Sequence, residues 1–397
     1  MKLHRLCVGL LGDSLAFFGS MAPAQAAGSI TVWVNSGEEA PYKAASAAWS
    51  AKTGVSVNIV AKCGLGDCGM SKLGPAGAGP DLFTASHDNT GSLVKSGVVT
   101  SLSSVVNKAS YPSAVLSGVT FNYQQWGIPI AVSNIALATN LSLVPAGAPK
   151  SWKELESTAT SLISSGKANV GIVTHLDGYF MQPFFDSLGG YVFANKNGSY
   201  TNTKQVGLNS KALAKNASLM DTWLDKKIFD KANTYDGSNF SNGKAPYAIV
   251  GPWSIDGLNK AGVKYQISSI PSINGGTARA FSGVTAVYMN RYAKNKFLAK
   301  QYLVEVVQSA AFSKAITTAN NSYPANIEAA SSIDPSSVAG KFGAYGAVCI
   351  PMPNVSEMNQ VWTYWNNAFA DWASGKAKFG AAMESASKNL NKALGNS

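Results

Sequence analysis

Strand-like and helix-like stretches alternate along this chain, and that alternation limits its architecture more than any other feature. Ile30 to Val34 is an apolar strand. Glu39 to Ala51 is Ala-rich and helical, and it ends at Thr53-Gly54, where glycine takes the turn that closes a helix. Val55 to Val60 is a second strand, Pro80-Asp81-Leu82-Phe83 opens a third, and Asp88 to Lys95 is a helix closed by Gly97. This order predicts an α/β fold with a largely parallel sheet flanked by helices. With 397 residues the chain exceeds one small core and suits two lobes.

A second series follows. Gly127 to Ser133 and then Asn134 to Thr139 form a long extended run that can leave one lobe and enter another. Ser151-Trp152-Lys153-Glu154 is a capping box, and its helix ends near Gly166. Val170 to Thr174 and Tyr265 to Ile270 read as strands, and Ser210 to Lys226 as a helix. Phe281 to Met289 is a return crossing, Phe297 to Ser309 a helix, and 321–333 is rich in loop. The tail from Glu357 to Leu394 is mostly helical, broken at Ser374-Gly375. The expected division is 27–132 plus 286–330 for an N-terminal lobe and 133–285 plus 331–397 for a C-terminal lobe. Crossings between them imply a ligand cleft at the hinge.

Residues 1–26 have the form of a secretory signal peptide: basic Lys2, His4 and Arg5, an apolar stretch from Leu6 to Phe18 interrupted by Asp13, and the small-x-small site Ala24-Gln25-Ala26. A membrane anchor would need a longer apolar run. Charged residues are only 13% of the chain, about half the usual ~25%. Acids are the scarcer sign, 21 against 32 Lys and Arg, for a net charge of +11. The lysines are spread singly and Arg is scarce, so no basic face for nucleic acid is expected. Few carboxylates also means few groups that lose native pairing in acid, which suits an acidic exterior.

Cys63 and Cys68 bracket a glycine-rich loop that can close a disulfide in an oxidising compartment. A zinc site is the rival, and only His87 and His175 remain as histidine ligands after export. Cys349 is left over and is expected to be buried as a small apolar residue.

Catalysis has little support. No GxSxG, GxxxxGK[ST] or strand-to-helix GxGxxG occurs, and neither histidine lies in a metal or nucleophile signature. Glu38 with Glu39 leaves an acid/base pair of a glycan-acting enzyme as the alternative. Aromatic residues carry more. In Tyr247 to Trp253 an apolar strand breaks at Gly251 and restarts as a helix at Pro252, whose fixed φ suits a first turn. That sets Trp253 at the C-terminal edge of a sheet, where open α/β folds bind ligands. Tyr179 and Phe180 follow Asp177 just after a strand, and Trp362 and Trp365 lie on a late helix. Sugar rings stack their C–H faces on aromatic rings, and their hydroxyls bond well to carboxylates such as Asp88 and Asp177. Trp49, Trp152 and Trp372 sit in helical patterns that bury them in the core.

Several collinear segments resemble the periplasmic maltose/maltodextrin-binding proteins of ABC sugar importers (extracellular solute-binding protein family 1), over essentially the whole exported length. They are Thr31 to Asn35, Gly79 to Phe83 with His87-Asp88, Gly127 to Val132, Gly189 to Phe193 with Asn197 to Tyr200, Gly251-Pro252-Trp253 and Met352-Pro353-Asn354. The resemblance implies a two-lobe fold that closes on sugar. Asp88 and Asp177 match its hydroxyl-binding carboxylates, and Tyr179, Phe180, Trp253 and Trp362 its stacking residues. Glu38 and Glu39 fall where it has an Asp-Lys pair. Ala85, Asn89, Ser133 and Asn366 replace a Trp, an Arg, a Glu and another Arg, so pocket polarity differs. The expected protein is a soluble monomer of the periplasm that binds a neutral sugar, maltodextrin-like or a related disaccharide, and delivers it to membrane permease subunits. It uses no cofactor or metal. A binder of another small solute, such as a polyamine or metal chelate, would want an anionic or His-rich cleft, which the low charge argues against.

Overall fold

The computed structural model describes residues 28–64, 66–196, 199–231 and 238–396. The signal-peptide segment, Leu65 and the Asn197-Gly198 pair lie outside the described residues. The larger of two principal sheets has seven strands. In it Gly28–Asn35 pairs in parallel with both Val55–Cys63 and Leu82–Ser86. Phe281–Met289 then runs antiparallel beside Leu82–Ser86 and beside Gly127–Ser133. Short strands Tyr323–Pro324 and Ile350–Pro351 complete it. The smaller sheet orders Tyr265–Ser268, Ala136–Asn140, Tyr247–Val250 and Ile172–Val173. Its one parallel pairing joins the last two strands. The sheets are thus more mixed than expected. Gly127–Ser133, Ala136–Asn140 and Phe281–Met289 run against most of their neighbours, which makes those pairings antiparallel, and of their pairings only Phe281–Met289 with Ile350–Pro351 is parallel.

Many local signals give the expected elements. Helix Glu39–Thr53 ends on Gly54, whose φ of +70° lets its N–H reach Ser50 O. Ser151 Oγ caps helix Trp152–Ser164 through Glu154 N–H at 3.2 Å. The Glu154 carboxylate, however, accepts from Lys150 N–H rather than from Ser151, so the box closes one residue early. The helix expected over 297–309 is Lys296–Tyr302 followed by a wider π turn, Leu303–Val307.

Each sheet has its own core. Beside the larger sheet, Ile30, Val32, Val34, Ile128, Ile130 and Val287 pack with Tyr42, Trp49, Tyr302 and Phe312. Beside the smaller one the core is heavily aromatic: Trp152, Phe184, Phe185, Trp223, Phe229, Trp365 and Trp372 meet there. Trp49, Trp152 and Trp372 are all buried, as their spacing predicts. Helix Met358–Ala373 turns Val361, Trp365, Phe369 and Trp372 inward at helical spacing. Burying a side chain such as Phe369 stabilises by about 1.5–3 kcal/mol.

The strand that leads to Asp88 is held at its root. Asp81 accepts from Thr31 N–H at 2.9 Å and from Asn295 N–H at 3.0 Å, and Asn290 Nδ2 donates to Pro80 O at 2.8 Å. Three segments run between the two sides. Ser133 pairs with Gly283, and Phe281 and Ser282 pair with Ile350 and Pro351. The last crossing is fixed to the larger-sheet side. Asn354 Nδ2 lies within hydrogen-bond reach of the carbonyls of Ser117, Gly118 and Thr120, and Gly91 N–H donates to Asn354 O.

Candidate functional site: a cleft between rings and acids

The aromatic side of the site starts at the end of strand Tyr247–Val250. Gly251 stays extended, Pro252 opens a short turn, and helix Ile255–Lys260 follows. The Trp253 ring lies back over Gly251, and a Cβ at Gly251 would meet it at 2.3 Å. Glycine is required there by that approach. Trp253 is 47% exposed, a large apolar ring left in solvent. Tyr179 and Phe180 lie in the first turn of helix Gly178–Ser187. Asp177 Oδ1 caps that helix through Phe180 N–H at 2.9 Å, and Asn366 Oδ1 takes Gly178 N–H at 2.9 Å. The Tyr179 centroid is 6.3 Å from Trp253 and 6.4 Å from Phe281, and Phe281 is 6.1 Å from Trp362. These are contact distances between rings, so the wall is continuous.

Acids and amides face the rings. Asp88 follows strand Leu82–Ser86 and is buried. Its Oδ2 accepts from Trp362 Nε1 at 2.9 Å and its Oδ1 from Asn89 Nδ2 at 3.3 Å. Glu38 accepts from Asn35 Nδ2 at 3.2 Å. Burial raises its pKa above the usual carboxylate range, opposed by the Asn35 and Asn320 amides. Asn35 Oδ1 is buried with no protein partner. Asp256, on the helix that follows Trp253 and so on the ring side, meets this set through its Oδ1, which accepts from Asn321 Nδ2 at 2.9 Å. Between rings and acids lies a cavity of about 980 Å³, and Ser133, Gly283 and Met352, one from each crossing segment, line it as well. The volume suits a small oligosaccharide-sized ligand.

Residues 44–342 match the model of a family described as bacterial extracellular solute-binding protein. The chain belongs to this family. Among its relatives, the galactooligosaccharide-binding protein of Bacillus subtilis (strain 168) is 28% identical over 386 residues, covering 93% of this chain and 90% of that one. The maltodextrin-binding protein MdxE of the same organism is 29% identical over 321 residues, covering 76% and 75%. A maltooligosaccharide ABC transporter solute-binding lipoprotein of Streptococcus pneumoniae (strain ATCC BAA-255 / R6) is 27% identical over 369 residues, covering 87% and 84%.

Within this solute-binding protein, Glu38, Asp88, Tyr179, Phe180, Trp253 and Trp362 come together around the cavity. Glu39 and Asp177 are not among its lining residues. The Glu39 carboxylate accepts from Gly37 N–H at 2.8 Å, and Asp177 is occupied as a helix cap. Glu38 and Glu39 therefore hold different partners. Asn35, Asp256, Asn320, Asn321 and Asn359 line the cavity without having been singled out in the sequence. Asn321 carried a signal: it ends helix Ala310–Asn320 in the left-handed conformation, φ +56°, a helix-stop role that asparagine tolerates. Asp256 stands three residues after Trp253, near it on the following helical turn.

Cys63 and Cys68 are joined by a disulfide, which removes the zinc alternative for that pair. Cys63, Gly64 and Gly66 line the cavity, so the bridged loop forms part of its wall. Cys349 is half-buried rather than buried, and burial pushes its thiol up to about 11. His87 is enclosed behind Asp88. Its Nδ1 accepts from Val284 N–H at 2.9 Å, so the neutral ring carries its proton on Nε2, 3.1 Å from Met352 O. Burial lowers its pKa, against the opposing charge of Asp88. Among the described residues no helix is long and apolar enough to cross a membrane.

Proposed function

We propose that this chain is the exported substrate-binding protein of an ABC importer and that it binds a neutral sugar in the cleft between its lobes. The observation that carries the reading is the cavity of about 980 Å³ with Tyr179, Trp253 and Trp362 on one side and Glu38 and Asp88 on the other. Rings take the C–H faces of a sugar and carboxylates take its hydroxyls. The printed names of the relatives, galactooligosaccharide-, maltodextrin- and maltooligosaccharide-binding, support oligosaccharide as the ligand class.

Sheet membership and the separate cores support lobes made of 27–132 plus 286–330 and of 133–285 plus 331–397. Sugar touching both lobes favours their closed arrangement, and the segments at Val132–Ser133 and Phe281–Val284 absorb the rotation. The closed monomer then docks on permease subunits, and no bond of the sugar is made or broken. Glu39 and Asp177 act from behind the contact residues. One closes the turn beside Glu38, and the other fixes the helix that presents Tyr179 and Phe180.

The test is tryptophan fluorescence and calorimetry on the exported chain with maltose, maltotriose and galactooligosaccharides. Saturable micromolar or tighter binding of one of them, with the sugar recovered intact, is expected. Binding of none, or release of new reducing ends, overturns the reading.

A further inference from the structure

The chain has 32 Lys and Arg against 21 Asp and Glu, yet the cavity inverts that balance. Glu38, Asp88 and Asp256 all line it, and among the described residues no Lys, Arg or His side chain does. Each of these carboxylates is held by neutral donors: the Asn35 amide for Glu38, the Trp362 indole and Asn89 amide for Asp88, and the Asn321 amide for Asp256. Five ion pairs occur among the described residues, and each uses acids elsewhere. Lys62, next in sequence to the lining Cys63, has its Nζ 4.2 Å from the centre of the Trp33 ring. The helix start beneath Tyr179 gives an anion little to bind. Its Gly178 and Phe180 N–H groups already donate to Asn366 and Asp177.

We infer that the cleft ranks sugars by charge, taking one that carries an amine ahead of its neutral counterpart and turning away one that carries a carboxylate. This rests on the oligosaccharide reading above and extends it from the neutral sugar to its charged counterparts. The cause is Coulombic. A unit charge about 8 Å from one carboxylate, at an effective dielectric of about 20, changes an equilibrium constant roughly thirtyfold. The neutral amide and indole donors keep each carboxylate placed without cancelling its charge. An ammonium group satisfies the field that three such acids create, and a uronate adds to it. The scarcity of charge in the whole chain hides this local surplus.

The experiment is a calorimetric titration of the intact exported chain with three dimers of the same linkage: α-1,4-linked galactose, galactosamine and galacturonic acid. The corresponding glucose, glucosamine and glucuronic acid dimers form a second series. The amine is expected to bind about tenfold tighter than the neutral sugar and the uronate at least about thirtyfold weaker. Raising the salt should narrow both gaps. Glu38→Gln and Asp256→Asn should each narrow them too, and each variant's circular dichroism and melting curve verify that it folds. A neutral dimer that binds as tightly as its amine, or no more tightly than its uronate, overturns the charge ranking and leaves the sugar reading standing. Binding of no dimer in either series overturns the charge ranking, and it overturns the sugar reading as well when maltotriose and galactooligosaccharides also fail to bind.

Discussion

On the smaller-sheet side the cleft is faced with Tyr179, Phe180, Trp253 and Trp362. On the larger-sheet side it is faced with Glu38, Asp88 and a set of asparagines. The rings rest on other rings. Trp362 stacks on Trp365 at 6.0 Å, and Trp365 is wholly buried in the aromatic core. The acids have no such backing, and they are held by a few hydrogen bonds, Glu38 by the Asn35 amide at a strand end and Asp88 by Asn89 and by the Trp362 indole from across the cleft. One wall is an outcrop of a packed interior, and the other is assembled from chain ends. A change on the first side is therefore felt in stability and affinity together, except at Trp253, whose ring is left in solvent.

Trp253 gives the sharpest way to break that contrast. Trp253→Ala should weaken sugar binding by about 1–3 kcal/mol while moving stability by less than about 0.5 kcal/mol. Trp362→Ala should lower both, because it also frees an Asp88 oxygen. Calorimetry paired with urea unfolding separates the two, and equal stability losses would show that Trp253 is packed like a core ring. Next is the bridged loop on the acid side. Replacing Cys63 and Cys68 by Ser should lower stability by about 2 kcal/mol, from the entropy of a short closed loop. If affinity falls as well, the loop shapes the wall, whereas unchanged affinity removes it from ligand contact.

Asp88→Asn keeps the shape and removes the charge. It should cost about 1–2 kcal/mol of binding, the margin of a charged over a neutral acceptor. Gly251→Ala should cost about 1 kcal/mol of affinity by pushing the Trp253 ring aside with every ring still present. Its backbone φ of −104° carries no penalty for alanine, so any loss of stability comes from the displaced ring and its contacts with Tyr179 and Phe180.

The smallest effect is in pH. His87 has a folded-state pKa lowered by burial, so its neutral form stabilises the fold above the unfolded pKa of about 6.5 and that contribution is lost as pH falls below it. The loss between pH 8 and 6 is at most about 0.8 kcal/mol for one such group. His175, also lowered by burial, acts in the same direction. Glu38 and Asp186 have raised pKa values, chiefly from burial, and act in the opposite sense. The cost of keeping them ionised is relieved as pH falls through their folded values. Urea unfolding of wild type and His87→Gln across this range checks the first part: the variant should show the shallower slope.

The ring wall was legible in the sequence because its residues announce themselves locally. Gly251-Pro252-Trp253 is a strand end, a turn and a helix start within three residues, and Trp362 lies on a helix whose apolar spacing is plain. The acid wall was legible only in part. Asp88 follows a readable strand, but Asn35, Asn320 and Asn321 reach the cavity from segments almost 300 residues apart, a closeness that chain periodicity cannot express. Asp177 illustrates the opposite case. A carboxylate three residues ahead of a helical N–H is also an N-cap, and Asp177 Oδ1 takes that role while the residue stays outside the cavity lining. Pro183 inside the helix that it caps hides that helix in the sequence. The antiparallel pair Tyr191–Lys196 and Ser199–Gly207 has a local signal, Asn-Gly at 197–198, but its strands lack the apolar alternation that marks a strand in sequence.

The way Asn354 is bound sets the geometry of any opening. Its amide and carbonyl tie the last crossing to residues 91 and 117–120, so the turning part begins beyond it. The helix bearing Trp362 starts only four residues later, at Met358, which puts Trp362 close to the fulcrum. If the lobes turn as proposed above, separating the two walls means breaking the 2.9 Å bond from Trp362 Nε1 to Asp88 Oδ2 and the 2.9 Å bond from Asn321 Nδ2 to Asp256 Oδ1, two latches that a sugar hydroxyl can replace.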